Sequence, residues 1–470
     1  MKSAGSLRSH RYLIFSKKGY TNLSTTEKIT GNWKTSNRVK PFVERVTIMS
    51  IQYSRRVALK TLAAAPWAVA ASSPVASWAN QSKPLPVAAV ITEYRNNSHA
   101  DVIVGKILEG FKQDGGPGPG LKLASLYVDQ FPKNDMSREL SRKYGFPITK
   151  TIEEAITLGS NQVQVAGVLS IGEHGNYPLT PETKQRMYPR RRFFDAISAT
   201  FRKCGQVVPV FNDKHLAYNW ADSKHMYDTA QKMKIPFMAG SSLPVTWRLP
   251  ARELPVGSVI EEALGIGYGG LEAYGFHALE TFQCVTERRR GGETGVKAVQ
   301  AVRGEQIWQS QQAGRWSQQL LQAALAAAQI KVTEQEFKTR LNKESAFYLI
   351  DYRDGLRGTV AMVNGVGGQF GIALKLRGQD KPFVNWFKTQ QVKPFMHFAE
   401  LLKGIERMIR TREPVYPVER TLLTGGILDR AIHSFHQEGK RLETPELAIR
   451  YQPTDWGFAN RDGNNPLPAD

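Results

Sequence analysis

Val87 to Phe111 reads VAAVITEYRNNSHADVIVGKILEGF. An apolar run ends at Ile91, and apolar residues return at helical spacing from Ala100 onward. A strand that turns straight into a helix is the opening unit of a nucleotide-binding α/β fold. Glycines in that turn normally let the backbone approach a pyrophosphate, whose charge then lies over the helix N-terminus. Here the turn carries Thr92, Glu93, Tyr94, Arg95, Asn96, Asn97, Ser98 and His99 instead. Side chains of that size block the approach unless the loop is rebuilt. Arg95 offers a charged contact to a phosphate, and Ser98 and His99 offer hydrogen bonds near the helix start. Ser98 is equally an ordinary N-cap, with Asp101 three residues on as a capping-box acid. Phosphate contact, capping and a substrate role for His99 all remain open.

The pattern continues outward from this unit. LKLASLYVD, VQVAGVLSI, QVVPVFN and IPFMAG read as strands, and helical patterns run through MSRELSRKYG, TIEEAITLG, RRFFDAISATFRKCG and NWADSKHMYDTAQKM. Strand–helix alternation of this kind predicts a parallel sheet covered on both faces, over residues 84–245. From 246 to 450 the pattern changes. GGLEAYGFHALETFQCVTE reads as a helix, and VKAVQAVRGEQIW, SAFYLIDYRDGLRGTVAMVN and QFGIALKLRG read as β-rich stretches. Short turns such as Arg353-Asp354-Gly355 favour antiparallel pairing there. QQLLQAALAAAQIK is a strong helix former, and two further helical patterns lie near the C-terminus. Residues 451–470 read as an irregular tail.

Composition bounds the partners. The chain has 470 residues, a formal charge of +21 and 41% hydrophobic residues, enough for two or three domains with real cores. Met1 to Ala79 hold 13 Lys and Arg against 2 Asp and Glu, which leaves 50 against 40 for the rest. The remainder is only moderately basic, which gives no reason to expect nucleic acid. Cys204 and Cys284 have neither metal spacing nor a disulfide framework, so they are expected to be core thiols and no metal is expected.

MSIQYSRRVALKTLAAAPWAVAASSPVASWANQS begins at Met49. Arg55 and Arg56 precede an alanine-rich apolar run, and Ser77-Trp78-Ala79 offers small residues for a signal peptidase. Residues 49–79 therefore read as a twin-arginine-type export signal. The run is too short for a stable membrane span after processing. Residues 1–48 read as a mis-assigned or disordered extension, with translation starting at Met49 and the mature protein exported, as to a periplasm.

Four stretches are similar to the Gfo/Idh/MocA oxidoreductases, the glucose–fructose oxidoreductase and inositol dehydrogenase group. They are LYVDQ with SRELSRKYGFPITKTIEEAI, VVPVFNDKHLAYNWADSKHMYDTAQKMKIPFMAG, GYGGLEAYGFHALETF, and GIERMIRTREPVYPVERTLLTGGILDRAIHSF. The resemblance implies a Rossmann-type domain followed by an α/β domain with a large, open, mostly antiparallel sheet. It also implies bound NAD or NADP and a sugar- or polyol-like substrate, and leaves room for a homo-oligomer. Asp213, Lys214 and His215 occupy the group's Glu-Lys-Pro positions, which makes Lys214 the lysine that orients substrate and nicotinamide. Gly275-Phe276-His277 matches G-x-H, which makes His277 the counterpart of the catalytic histidine. Ala273 stands where the group has an Asp. Glu272 is adjacent, but one helical position turns a side chain by about 100°.

Asp129, ending the second strand, is placed to accept from a ribose hydroxyl. Glu173 and His174, in SIGEHGNYP, follow another strand at the edge where open α/β sheets bind ligands. With Arg95, Ser98, His99 and Asp213 they make up the candidate cofactor contacts. Tyr188 with Arg190 to Arg192, and Arg288 to Arg290, read as solvated basic runs, or as contacts for an anionic sugar or an oligomer. The favoured function is an exported oxidoreductase, with Lys214, His277 and Glu272 as candidate catalytic residues. Two alternatives stand beside it: a cofactor-free carbohydrate- or anion-binding protein, and a hydrolase or lyase using the same cleft.

Overall fold

Ser98 sets where the first helix begins. Its hydroxyl accepts the Asp101 amide, and the helix starts at the next residue. The computed structural model describes residues 83–463 and 465–467, so the signal read at 49–79 and the extension 1–48 lie outside the described residues. In chain order the first layer is β1 (Leu85–Ile91), α1 (His99–Glu109), β2 (Leu121–Val128), α2 (Ser137–Tyr144), β3 (Ile148–Thr149), α3 (Ile152–Thr157), β4 (Gly167–Ile171), α4 (Arg190–Cys204), β5 (Val210–Asp213), α5 (Trp220–Met233) and β6 (Phe237–Gly240). The strands lie in the order β3-β2-β1-β4-β5-β6, and every pairing is parallel. This is the doubly wound order, with its switch point between β1 and β4. Val87 to Ile91 are fully buried, as a central strand covered on both faces must be.

The second sheet contains β7 (Trp247–Leu249), β8 (Ile260–Gly267), β9 (Val296–Val302), β10 (Ala346–Tyr352), β11 (Arg357–Met362), β12 (Phe370–Leu376), β13 (Phe383–Lys388) and β14 (Leu442–Glu443). Its order is β14-β9-β10-β11-β8-β12-β13-β7, antiparallel except between β8 and β11. The helices of this part are α6 (Ala273–Thr286), α7 (Glu305–Gln312), α8 (Gln318–Ala327), α9 (Glu334–Arg340), α10 (His397–Thr411) and α11 (Val418–His436). The Rossmann-type parallel sheet followed by a large, mostly antiparallel sheet is the expected fold class.

Three features depart from the reading of the sequence. VKAVQAVRGEQIW is strand only to Val302, because Gly304 turns the chain into α7. β8, central in its sheet, escaped notice because its acidic start and two glycines hide the strand pattern. Those glycines admit α6: a Cβ on Gly267 would lie 2.6 Å from the Ala278 Cβ, and one on Gly265 would lie 3.2 Å from Phe282. The sheet is open at its edges, as expected, but helices cover both its faces. The alanine-rich α8 lays Leu320, Leu321, Ala324 and Leu325 against Leu264, Ile266, Phe347 and Leu349, while α6 and α11 cover the other face.

α10 belongs to the first sheet's core despite its place late in the chain. Phe398, Leu401, Leu402, Ile405 and Met408 pack with Val87, Ile91, Ile103 and Leu169. α11 then bridges the two sheets, with Val418 and Leu422 in one core and Leu423 and Ile427 in the other.

Candidate active site

The carboxyl ends of β1, β4, β5 and β6 face the start of α6 and the β12–β13 side of the second sheet across a cavity of about 410 Å³. Its lining includes Asn97, His99, Glu173, His174, Lys214, Tyr268, Tyr274, His277, Phe370 and His397. Lys214, just after β5, and His277, on α6 over the second sheet, therefore meet at one space. Several lining residues hold left-handed backbone: Asn97 (φ 60°), His174 (φ 72°), Lys214 (φ 68°) and Phe395 (φ 51°). Non-glycine residues adopt this at a cost of about 1–3 kcal/mol each, and such positions concentrate at functional sites.

A buried chain of charges supports the polar wall. The Glu173 backbone carbonyl accepts from the Thr92 hydroxyl at 2.6 Å, tying the ends of β1 and β4 together. The Glu173 carboxylate pairs with Arg190, which is fully buried, and lies 3.4 Å from the Lys214 Nζ. Burial alone would raise the Glu173 carboxyl, but the Lys214 and Arg190 charges outweigh it and hold it well below the usual carboxylate range. Arg190 Nη1 continues to His215 Nε2 at 3.2 Å. Lys214 also donates to the Ala273 carbonyl at 3.1 Å, which fixes its ammonium against the first turn of α6.

Four histidines line the cavity. Burial lowers His174 and His397 to about 3, with the nearby Lys106 adding to the second. Burial, then Lys214 and His99, push His277 well below its ordinary value. The His277 Nδ1 lies 2.6 Å from Ser241 Oγ. His99 is held differently, with its Nδ1 2.6 Å from the buried carboxylate of Asp213. The opposite wall is aromatic: Tyr274 stacks on Phe370 at 6.4 Å with planes 13° apart, Tyr268 leans on both, and Tyr274 is 41% exposed at the mouth.

Several sequence candidates lie elsewhere. Glu272 does not reach the cavity. It precedes α6, and its carboxylate accepts the Arg186 amide at 3.0 Å, as the one-position rotation requires. Arg95 pairs with Glu93. Asp129 directly follows β2, but both its oxygens accept from Arg192, at 2.8 and 2.7 Å, and from the Tyr127 and Tyr177 hydroxyls. Burial would raise its carboxyl, and these hydrogen bonds together hold it below the ordinary value. Arg190, Arg288 and Arg289 are buried in ion pairs, whereas Arg191 and Arg192 are exposed. The basic-run reading therefore fails for the first three, because each meets a carboxylate, Glu173, Glu253 or Glu293, outside its own run. His397, Tyr268 and Tyr274 were not anticipated; only the recurrence of aromatics in YGGLEAY hinted at the last two. Among the described residues no group of His, Cys, Asp and Glu is arranged to hold a metal ion.

The ordinary seat of a dinucleotide can be tested on the β1–α1 turn. Ser98 Oγ accepts the amides of Arg95 and Asp101, the Asp101 carboxylate accepts the Asn97 amide at 2.9 Å, and the His99 amide points to His174 Nδ1 at 3.5 Å. The donors that would face a pyrophosphate are thus engaged by the chain's own side chains, and a carboxylate sits where negative charge would arrive. With Asp129 also engaged, these residues do not fit a dinucleotide in its ordinary seat.

The sequence matches no protein-family model and no curated protein. Among solved structures, the chain is similar to GenD2 from gentamicin A biosynthesis in complex with NAD, at 11% identity over 77% of this chain and 97% of that one, with a TM-score of 0.49. It is also similar to scyllo-inositol dehydrogenase from Lactobacillus casei with bound NAD(H) and scyllo-inositol, at 11% identity over 77% and 99%, TM-score 0.48. A third is UDP-N-acetylglucosamine 3-dehydrogenase from Acidithiobacillus ferrooxidans, at 10% identity over 75% and 98%, TM-score 0.43.

Proposed function

We propose that this chain is an oxidoreductase of the Gfo/Idh/MocA type that acts on a sugar- or polyol-like compound in the cavity. The observation that carries the reading is the convergence of Lys214 and His277 on one space at the carboxyl edge of a doubly wound sheet. Lys214, held between Glu173 and the Ala273 carbonyl, donates to a substrate hydroxyl oxygen. His277, anchored at Nδ1 on Ser241, faces that hydroxyl as its proton partner. The aromatic wall of Tyr268, Tyr274 and Phe370 suits the apolar face of a sugar ring.

NAD or NADP is the hydride partner this reading calls for, and the β1–α1 turn does not offer it the ordinary seat. Calorimetric titration of stripped, folded protein with NAD(H) and NADP(H) is the direct test. Binding of either, with reduction on adding a polyol, supports the reading. Absence of binding to both removes it and leaves the second one: proton-transfer chemistry or carbohydrate binding without a dinucleotide. The engaged states of Asp101 and Asp129 favour that second reading.

We also propose export by way of Arg55, Arg56 and Ser77-Trp78-Ala79. N-terminal sequencing of the mature protein should begin near Asn80. An active form retaining Met1 would overturn this.

A further inference from the structure

We infer that His99, oriented by Asp213, is a second proton-transfer group of this cavity; the β1–α1 turn, which a glycine-rich sequence would leave to a phosphate, here carries acid–base chemistry toward a neutral polyhydroxylated substrate. The inference rests on the proposed cavity being the substrate site.

The pair joins the end of β5 to the start of α1. Asp213 ends β5 and is buried, and His99 is the first residue of α1, with its side chain at the cavity. With Nδ1 donating to the carboxylate at 2.6 Å, the ring presents Nε2 as its acceptor, and among the described residues no protein group bonds that nitrogen. A carboxylate behind one ring nitrogen fixes the tautomer and stabilises the imidazolium formed when the other takes a proton. No other histidine of the cavity has such support: His277 rests on a hydroxyl, and His174 Nδ1 faces the His99 amide.

The groups facing His99 come from every element around it. They are Asp213 on β5, Glu173 and His174 after β4, Lys214 beyond β5, His277 on α6, and His397 with Phe398 on α10. Its ring lies 5.2 Å from those of both His174 and Phe398, edge to face. Burial keeps His174, His277 and His397 neutral in the neutral range. Lys214 and Arg190 are balanced by Glu173 and Asp213, so the site has no net charge to satisfy on a ligand. The step is a proton transfer alone. A substrate O–H bond breaks, an Nε2–H bond forms, the electron pair stays on the oxygen, and Nε2 passes the proton to solvent before the next turnover.

Asp213→Asn is the decisive variant, because an amide donates to Nδ1 and locks the ring with its proton on Nε2. Nitrogen NMR of the histidine-labelled mature protein should show Nδ1–H in the parent and Nε2–H in the variant. A parent ring already protonated at Nε2 overturns the inference, whatever the activity. With any polyol that the parent oxidises, Asp213→Asn and His99→Gln should each lower kcat by ~10²–10⁴-fold with KM little changed. Unchanged kcat with the tautomer switched also overturns it, while leaving the proposed function intact. If the parent oxidises no polyol, the proposed function has failed. The inference then stands only if millimolar myo-inositol shifts the His99 Nε2 resonance, and falls if that resonance does not move.

Discussion

The two walls of the cavity are built by different means. The polar wall comes from loop ends of the parallel sheet, where Asn97, His174 and Lys214 hold left-handed backbone and Glu173 gathers Lys214 and Arg190 around it. The aromatic wall comes from regular elements: β8, the start of α6 and β12, seated by glycines that let helix and sheet meet. One wall is held by charge and strain, the other by packing. Disturbing the first should therefore cost the fold more than disturbing the second.

Glu173→Ala tests this most severely. It leaves Arg190 and Lys214 without their shared carboxylate, and removing one partner of a buried ion pair costs about 3–5 kcal/mol. Denaturant unfolding should show that loss as a lower midpoint with an unchanged slope, and a shift below 1 kcal/mol would mean the wall is not charge-held.

Acidification comes next. His397 is buried, and its burial lowers it from 6.5 to about 3. Between those values the unfolded chain binds a proton that the native chain refuses, so stability falls as pH falls from about 6.5. Each such histidine contributes up to about 1.4 kcal/mol per pH unit. His174, lowered for the same first reason, adds to it. Unfolding midpoints at pH 7 and pH 5 should differ accordingly, and His397→Gln should flatten the slope.

Tyr274→Ala is the mildest test. Its ring is partly exposed and stacks on Phe370, and such contacts are worth about 0.5–1.5 kcal/mol. KM for a sugar-like substrate should rise by roughly 2- to 12-fold, with folding stability nearly unchanged. A collapse in stability would reverse the contrast between the walls.

Much of the first sheet was legible because its strands are short apolar runs separated by capped helices. The apolar run ending at Ile91, which opens the sequence reading, lies within β1. β8 was not legible, since its glycines encode an approach by α6 and carry no periodic signal. At the site, Lys214 and His277 stood out through resemblance, and the structure brings both to the cavity. Glu272 shows the limit of adjacency, because a helix sends neighbouring side chains in different directions. The pairing of His99 with Asp213 spans 114 positions, and the burial of Arg190 depends on a carboxylate from another loop. Local pattern cannot show either.

The placement of α10 has a consequence for how the chain is made. The first sheet is complete once residue 240 has emerged from the ribosome, yet one of its faces stays only partly covered, by α1 and α2, until Phe398 to Met408 follow. Over that interval of synthesis Val87, Ile91, Ile103 and Leu169 lack their final neighbours, while β7 to β13 of the second sheet are being translated. A nascent chain in this state exposes an apolar surface that invites chaperone binding. The two sheets thus reach their native state together, and a fragment ending near residue 245 would lack part of its own core.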